Sequence, residues 1–153
     1  MAAVISDTHG VLRPEVRDCL KECDCIIHAG DFDDAKTLES LEEYAPLYGV
    51  RGNNDWDLKL PLLRRFEIEG LNFLMVHRRI DLPEDLTGVD VVIFGHSHRY
   101  FCQLRDGVLW LNPGSCGRRR FGLELCFATL RVDGRNFEVE KRVLPSSPKL
   151  RRK

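Results

Sequence analysis

The sequence contains no Cys-x-x-Cys pair, although it holds six cysteines in 153 residues. Cys19, Cys23 and Cys25 lie on or just after a helical pattern, while Cys102, Cys116 and Cys126 fall singly among strand patterns. Paired knuckles of the structural-zinc kind are therefore absent. Reduced, mostly buried thiols are expected rather than a disulfide framework. No apolar run approaches the ~20 residues needed to span a bilayer. Met1 to Ile5 is too short for the apolar region of a signal peptide. These features together predict a cytoplasmic protein without membrane association. Charge of one sign is also lacking: 23 Lys and Arg stand against 24 Asp and Glu, a net charge of −1. That balance gives no polyanion-binding surface, and stable nucleic-acid binding is not expected. Internal repeats and low-complexity segments are missing too. At 43% hydrophobic residues the chain has enough apolar side chain for one domain with a real core.

What is present is a set of apolar strands that end in chemistry. Val91-Val92-Ile93-Phe94 reads as a buried strand, and Gly95-His96-Ser97-His98 follows it. Gly95 marks a sharp or crowded turn. Imidazoles two residues apart at a strand end can serve one metal centre or two adjacent ones; they can also be loop histidines without a ligand. The same grammar recurs four times. Ala2 to Ile5 precedes Ser6-Asp7-Thr8-His9, and Cys25 to Ala29 precedes Gly30-Asp31. Leu47 to Val50 precedes Arg51-Gly52-Asn53-Asn54-Asp55, and Leu71 to Val76 precedes His77.

Between these strands the spacing changes. Pro14 suits the first turn of a helix, where its missing N–H costs nothing. Val16, Cys19, Leu20 and Cys23 then repeat at helical spacing. Asp33 or Asp34 can cap a second helix that turns Leu38, Leu41 and Ala45 inward and stops before Pro46. The first half is thus β-α-β-α-β, the pattern of a parallel sheet, with its polar residues past the carboxyl ends of the strands, where such sheets bind ligands. The second half reads as mainly antiparallel. Strands are expected over Phe66–Glu69, Leu71–Val76, Tyr100–Leu104, Val108–Leu111, Leu123–Arg131 and Asn136–Leu144. Asp106-Gly107 and Asp133-Gly134 supply hairpin turns. Leu82 to Leu86 is expected to form a turn or half-helix. Residues 1–144 form the expected domain, and 145–153 a basic tail with frayed ends.

Asp7, His9, Asp31, Asn53, His77, His96 and His98 together offer seven oxygen and nitrogen donors and no thiolate. Such a set suits borderline or hard divalent ions. Seven donors would crowd one ion; two ions sharing a carboxylate would use them all and leave room for water or phosphate. His28, inside its strand, is read as a core histidine with satisfied ring nitrogens.

Asp7-x-His9, Gly30-Asp31, Gly52-Asn53-x-Asp55, His77 and Gly95-His96-x-His98 resemble, in order and spacing, the five motifs of the calcineurin-like metallophosphoesterase superfamily. Asn112-Pro113-Gly114-Ser115 resembles a signature of its small bacterial and archaeal phosphodiesterase branch. The resemblance implies an α/β fold: a four-layer α/β/β/α sandwich of two mixed β-sheets with helices outside. It implies Asp7, His9 and His98 on one divalent ion, Asn53, His77 and His96 on a second, and Asp31 bridging them. The implied metal is Mn²⁺ first, with Fe²⁺, Zn²⁺, Co²⁺ or Ni²⁺ as alternatives. The implied reaction is hydrolysis of a small phosphodiester by in-line attack of a metal-bridging hydroxide. Asp31, Asn54 and Asp55 are the candidate catalytic residues, with Asp55 standing behind the ligands.

Two departures qualify the resemblance. Many relatives carry histidine where this chain has Asn54, and asparagine can donate a hydrogen bond but cannot deliver a proton. The residue after His77 is usually glycine; here it is Arg78. Asn54 and Arg78 are candidate substrate contacts, although solvation alone is the simpler expectation for Arg78 and for Arg118-Arg119-Arg120. The alternative function is a non-catalytic scaffold, like the metallophosphoesterase-like subunit of the retromer coat. Retention of all seven donors favours an enzyme acting on a small-molecule phosphoester. A homodimer is left open.

Overall fold

A computed structural model describes residues 1–118 and 122–145. The first half follows the expected order: β1 (Ala2–Ile5), α1 (Pro14–Leu20), β2 (Cys25–His28), α2 (Ala35–Glu42) and β3 (Leu47–Gly49). Pro14 opens α1, and Asp34 caps α2 by accepting the Thr37 N–H at 2.8 Å. β1 pairs with β2, and β2 with β3, all parallel. The helices are the crossovers that parallel pairing requires.

The second half contains β4 (Leu63–Ile68), β5 (Leu71–Val76), β6 (Val91–Ile93), β7 (Phe101–Arg105), β8 (Val108–Asn112), β9 (Cys126–Asp133) and β10 (Asn136–Val143). Two five-stranded mixed sheets result, in the orders β10-β9-β1-β2-β3 and β4-β5-β6-β8-β7. The expected hairpins form: β7 with β8 and β9 with β10 are antiparallel. Reading this half as mainly antiparallel misses the centre of the second sheet, where β5, β6 and β8 are parallel. β4 also begins earlier than Phe66, and the helical turn is a 3₁₀ turn at Arg79–Asp81 rather than over Leu82 to Leu86.

Period-2 alternation assigns each strand's two faces. Ala2, Val4, Ile27 and Ala29 from one sheet meet Leu71, Phe73, Met75, Val91 and Ile93 from the other, forming the core between the sheets. The intervening residues Ala3, Ile5 and Ile26 pack outward against Val16, Leu20 and Leu41 of the two helices. Each large apolar side chain so buried contributes ~1.5–3 kcal/mol. The outer face of the second sheet, built on Leu74, Val76 and Val92, is covered by Leu82, Leu86 and Val89. That fourth layer is a connecting segment with one 3₁₀ turn, and no α-helix lies there among the described residues. The carboxyl ends of β1, β2, β5 and β6 now converge on one edge of the sandwich. Of the basic tail, Pro145 alone falls within the described residues.

Candidate metal centre

Five of the seven candidate donors meet at this edge. Asp7, His9 and His98 form one converging group, and Asp7, Asp31 and His77 another, with donor atoms within 4.8 Å of one another in each. His9 Nε2 stands 3.7 Å from both Asp7 Oδ1 and Asp31 Oδ2. His98 Nε2 is 3.4 Å from Asp7 Oδ1, and His77 Nε2 is 3.3 Å from Asp31 Oδ2. Ligands held ~2.1 Å from one ion at tetrahedral or right angles stand about 3–3.4 Å apart. The observed separations are close to that.

The decisive feature is what these atoms lack. Asp7 Oδ1, His9 Nε2 and His77 Nε2 are buried without a hydrogen-bond partner. Each buried polar group left unpaired costs ~1–3 kcal/mol. A divalent cation would engage the oxygen and the inward-facing nitrogens at once, so the residues present fit a metal.

The ring nitrogens on the far side are fixed. His9 Nδ1 lies 3.1 Å from Asp33 Oδ1, and His77 Nδ1 lies 2.7 Å from the Ala29 carbonyl oxygen. Donation by these N–H groups leaves each Nε2 lone pair facing inward, the usual support for a metal-binding histidine. In the sequence Asp33 and Asp34 are equivalent helix-cap candidates; Asp34 takes that role and Asp33 orients His9. Nothing in the sequence separates the two neighbouring aspartates. Ser6 is a second addition, donating from Oγ to Asp7 Oδ2 at 2.7 Å.

The backbone is bent to bring these groups together. Asp7, His9, Asp31, Asp33, His96 and His98 have φ of 55°, 48°, 67°, 81°, 74° and 64°. Left-handed conformations cost ~1–3 kcal/mol each in non-glycine residues, and they persist where the surroundings enforce them. Gly95 is required for a different reason than handedness. A Cβ there would stand 2.2 Å from Ser6 Oγ and 3.0 Å from Asp7 Oδ2. Gly52 is likewise crowded, with its would-be Cβ 2.2 Å from Asp31 Oδ1.

Asp31 and His77 polarise one another. Burial pushes the Asp31 carboxyl up, but the His77 hydrogen bond and charge, the Asn54 N–H and His9 outweigh it and hold the group well below the usual carboxylate range. Burial opposes a charged His77, yet the Asp31 carboxylate 3.3 Å from Nε2 and the charge of Asp7 raise it. Burial and the nearby His77 lower the proton affinity of His96, which favours a neutral imidazole.

Asn53 and His96 lie at the exposed rim. The His96 ring stands edge-on to His77 with centroids 5.2 Å apart, outside both converging groups. Its backbone N–H donates to Asp7 Oδ2 at 3.2 Å. Asn54 is exposed, and its backbone N–H donates to Asp31 Oδ1 at 3.0 Å. This bond leaves Oδ2 as the oxygen facing the histidines.

Asp55 holds the loops behind the donors. It is fully buried, and its Oδ2 accepts from the N–H groups of Asp31, Phe32 and Gly52 at 2.6, 3.1 and 3.0 Å. Its Oδ1 accepts from Asp33 N–H at 2.8 Å. One carboxylate thereby ties the loop after β2 to the loop after β3. Asn112 and Ser115 act in the same way: Asn112 Nδ2 donates to the Gly95 carbonyl, and Ser115 Oγ donates to that of Asp7.

Arg78 is exposed, and its Nε–H donates to Asp81 Oδ2 at 3.3 Å. Arg118 is exposed as well, while Arg119 and Arg120 lie outside the described residues. His28 is the core histidine expected. Its Nδ1 accepts from Gly30 N–H, its Nε2 pairs with Thr8 Oγ1 at 3.0 Å, and its ring stacks on Phe32. Burial pushes its proton affinity down to about 3, so it is neutral at ordinary pH.

Comparison with known proteins extends these observations. Residues 1–135 match the model of the calcineurin-like phosphoesterase superfamily domain. A probable metallophosphoesterase of Methanothermobacter thermautotrophicus is 33% identical over 92% of this chain and 90% of its own. The solved structure of a novel archaeal phosphodiesterase superposes with a TM-score of 0.77 at 26% identity, covering 94% of this chain and 99% of that one. Vps29 of Chaetomium thermophilum superposes with a TM-score of 0.76 at 21% identity over 94% of this chain and 97% of its own, a likeness of fold alone. By sequence over most of its length, and by fold, the chain belongs to the calcineurin-like phosphoesterase superfamily.

Proposed function

We propose that this chain is a dinuclear metal-dependent phosphodiesterase acting on small phosphodiesters. Membership of the family supports metal-dependent phosphoester hydrolysis; the diester and the two ions are the proposal. The observation that carries it is the set of three buried, unpartnered donor atoms, Asp7 Oδ1, His9 Nε2 and His77 Nε2, at the edge where the strands end. A scaffold has no use for such atoms. In this reading Asp7, His9 and His98 would hold one ion and Asn53, His77 and His96 the other, with Asp31 shared between them. The mixture of carboxylate, amide and imidazole donors suits Mn²⁺ first. Bound ions would supply an acidified water as nucleophile and positive charge opposite the phosphoryl oxygens. The protein's own contribution is placement: His9 and His77 present Nε2, Asp33 and Ala29 fix the rings, and Asp55 holds the loops. Arg78, which pairs with Asp81 through Nε and lines the same cavity as His77, is the candidate cation for a substrate phosphate. Reduced thiols at all six cysteines agree with a cytoplasmic location.

Asn54 sets the expected preference. An aryl diester has a good leaving group and needs little protonation; an alkyl monoester needs a proton, and general acid help is worth ~10²–10⁴-fold. With asparagine at this rim, the Mn²⁺-loaded protein is expected to turn over an aryl diester faster than an alkyl monoester. Asn54→His is expected to narrow the gap by raising monoester turnover. The check is the ratio of kcat/KM values for the two substrates in each protein. A wild type that prefers the alkyl monoester would refute the argument.

A further inference from the structure

We propose that the cavity beside the metal centre is a nucleoside subsite in which Trp56 is the stacking platform, an inference that rests on the phosphodiesterase reading above. The cavity has a volume of about 390 Å³, and its lining includes Arg51, Asn53, Trp56, Leu62, His77 and Arg78. His77 belongs to both the cavity wall and the converging donors. A phosphorus atom seated at the donors therefore places one ester substituent in this space. The volume lies in the ~300–1,000 Å³ range of small-ligand sites.

Trp56 is 78% exposed and Leu62 is 55% exposed. An indole normally buries most of its large apolar surface. The neighbours of Trp56 show that its exposure is imposed by a well-anchored loop. Asp55 is fully buried with its four N–H partners, and Leu58 is buried in the outer core. Leu58 N–H donates to the Asp55 carbonyl at 2.8 Å, and Arg51 N–H donates to that of Pro61 at 2.8 Å. The indole is thus held outward from a fixed backbone. The second tryptophan, Trp110, has the Arg79 guanidinium 4.8 Å above its ring. Among the described residues no ring or cation stacks on Trp56 in this way.

The lining chemistry selects the substituent. Trp56 and Leu62 offer an apolar face, while Arg51, Asn53 and Asp81 offer donors and acceptors around it. A nucleobase has a flat face and a polar edge to match. A simple alkyl alcohol has neither. Arg78, steadied by Asp81, lines the cavity together with His77 and is the cation for the phosphate.

The test uses the Mn²⁺-loaded protein and two diesters with the same leaving group, thymidine 5′-(p-nitrophenyl phosphate) and methyl p-nitrophenyl phosphate. A stacked base is expected to favour the thymidine ester ~10-fold or more in kcat/KM, mostly through KM. Trp56→Ala is expected to bring the ratio towards one, and Trp56→Phe to keep most of it. A wild-type ratio near one, or a ratio that survives Trp56→Ala, overturns the subsite. If neither diester is turned over, the phosphodiesterase reading fails and the subsite is judged by binding. Thymidine 5′-monophosphate should then quench tryptophan fluorescence in the wild type and lose that effect in Trp56→Ala; no quenching overturns it. A wild-type ratio near one, with a dimer that Trp56→Ala dissociates, overturns the subsite and assigns the patch to a second copy of the chain.

Discussion

Replacing Asp31 by alanine is expected to remove bound metal and to lower phosphodiester turnover by at least ~10³-fold, since Lewis-acid stabilisation is worth several kcal/mol and each ~1.4 kcal/mol is tenfold. The reason is position. Asp31 Oδ2 faces both His9 and His77, at 3.7 and 3.3 Å. Its other oxygen anchors the Asn54 N–H, so the substitution also releases the loop that carries Asn53. The residue is 4% exposed, and no solvent-borne carboxylate can take its place without a large rearrangement. Asp31→Asn keeps the shape and removes the charge, and it should rank between wild type and Asp31→Ala in metal affinity. Elemental analysis and turnover on the same preparations check this. Normal turnover in Asp31→Ala would show that the residue does not hold metal.

Asp55→Ala is expected to cost at least ~3 kcal/mol of stability, because buried donors that lose their acceptor cost ~1–3 kcal/mol each. Four backbone N–H groups depend on this carboxylate. A loss of that size is a large part of the ~5–15 kcal/mol that holds a domain folded. Asp55→Asn should rescue in part, since its amide oxygen can keep the three N–H partners of Oδ2 while its NH₂ would face the Asp33 N–H. Metal affinity should fall along with stability, because the loops bearing Asp31 and Asn53 are no longer tied. Urea unfolding of the metal-free proteins isolates the first effect from the second. A change below 1 kcal/mol, within the range of ordinary surface substitutions, would mean that water or a neighbour satisfies these groups.

The first half of the fold was readable because each strand is short, apolar and closed by a polar motif, with helical spacing between. The parallel centre of the second sheet was not. β6 and β8 are separated in sequence by β7, and pairing across that gap leaves no local mark; the β7–β8 hairpin, by contrast, announces itself through Asp106-Gly107. The positions of Asp7, His9, His77 and His98 followed from strand ends. Asp33 did not, since it differs from Asp34 by one step of backbone rotation at a φ of 81°. Asp55 was expected behind the ligands, but the four N–H groups it gathers come from two loops that meet only in the folded chain. Gly95 was readable as a sharp or crowded turn, and the crowding proves to be contact with Ser6 and Asp7.

The ion count of the reconstituted protein tests the central claim most directly. Metal-free chain would be loaded with excess Mn²⁺, freed of unbound ion, and measured for manganese per mole of protein. Two equivalents are expected, with His96→Ala, at the exposed rim, retaining one. One equivalent or fewer in the wild type would contradict a dinuclear centre and leave the five buried residues as the site of a single ion.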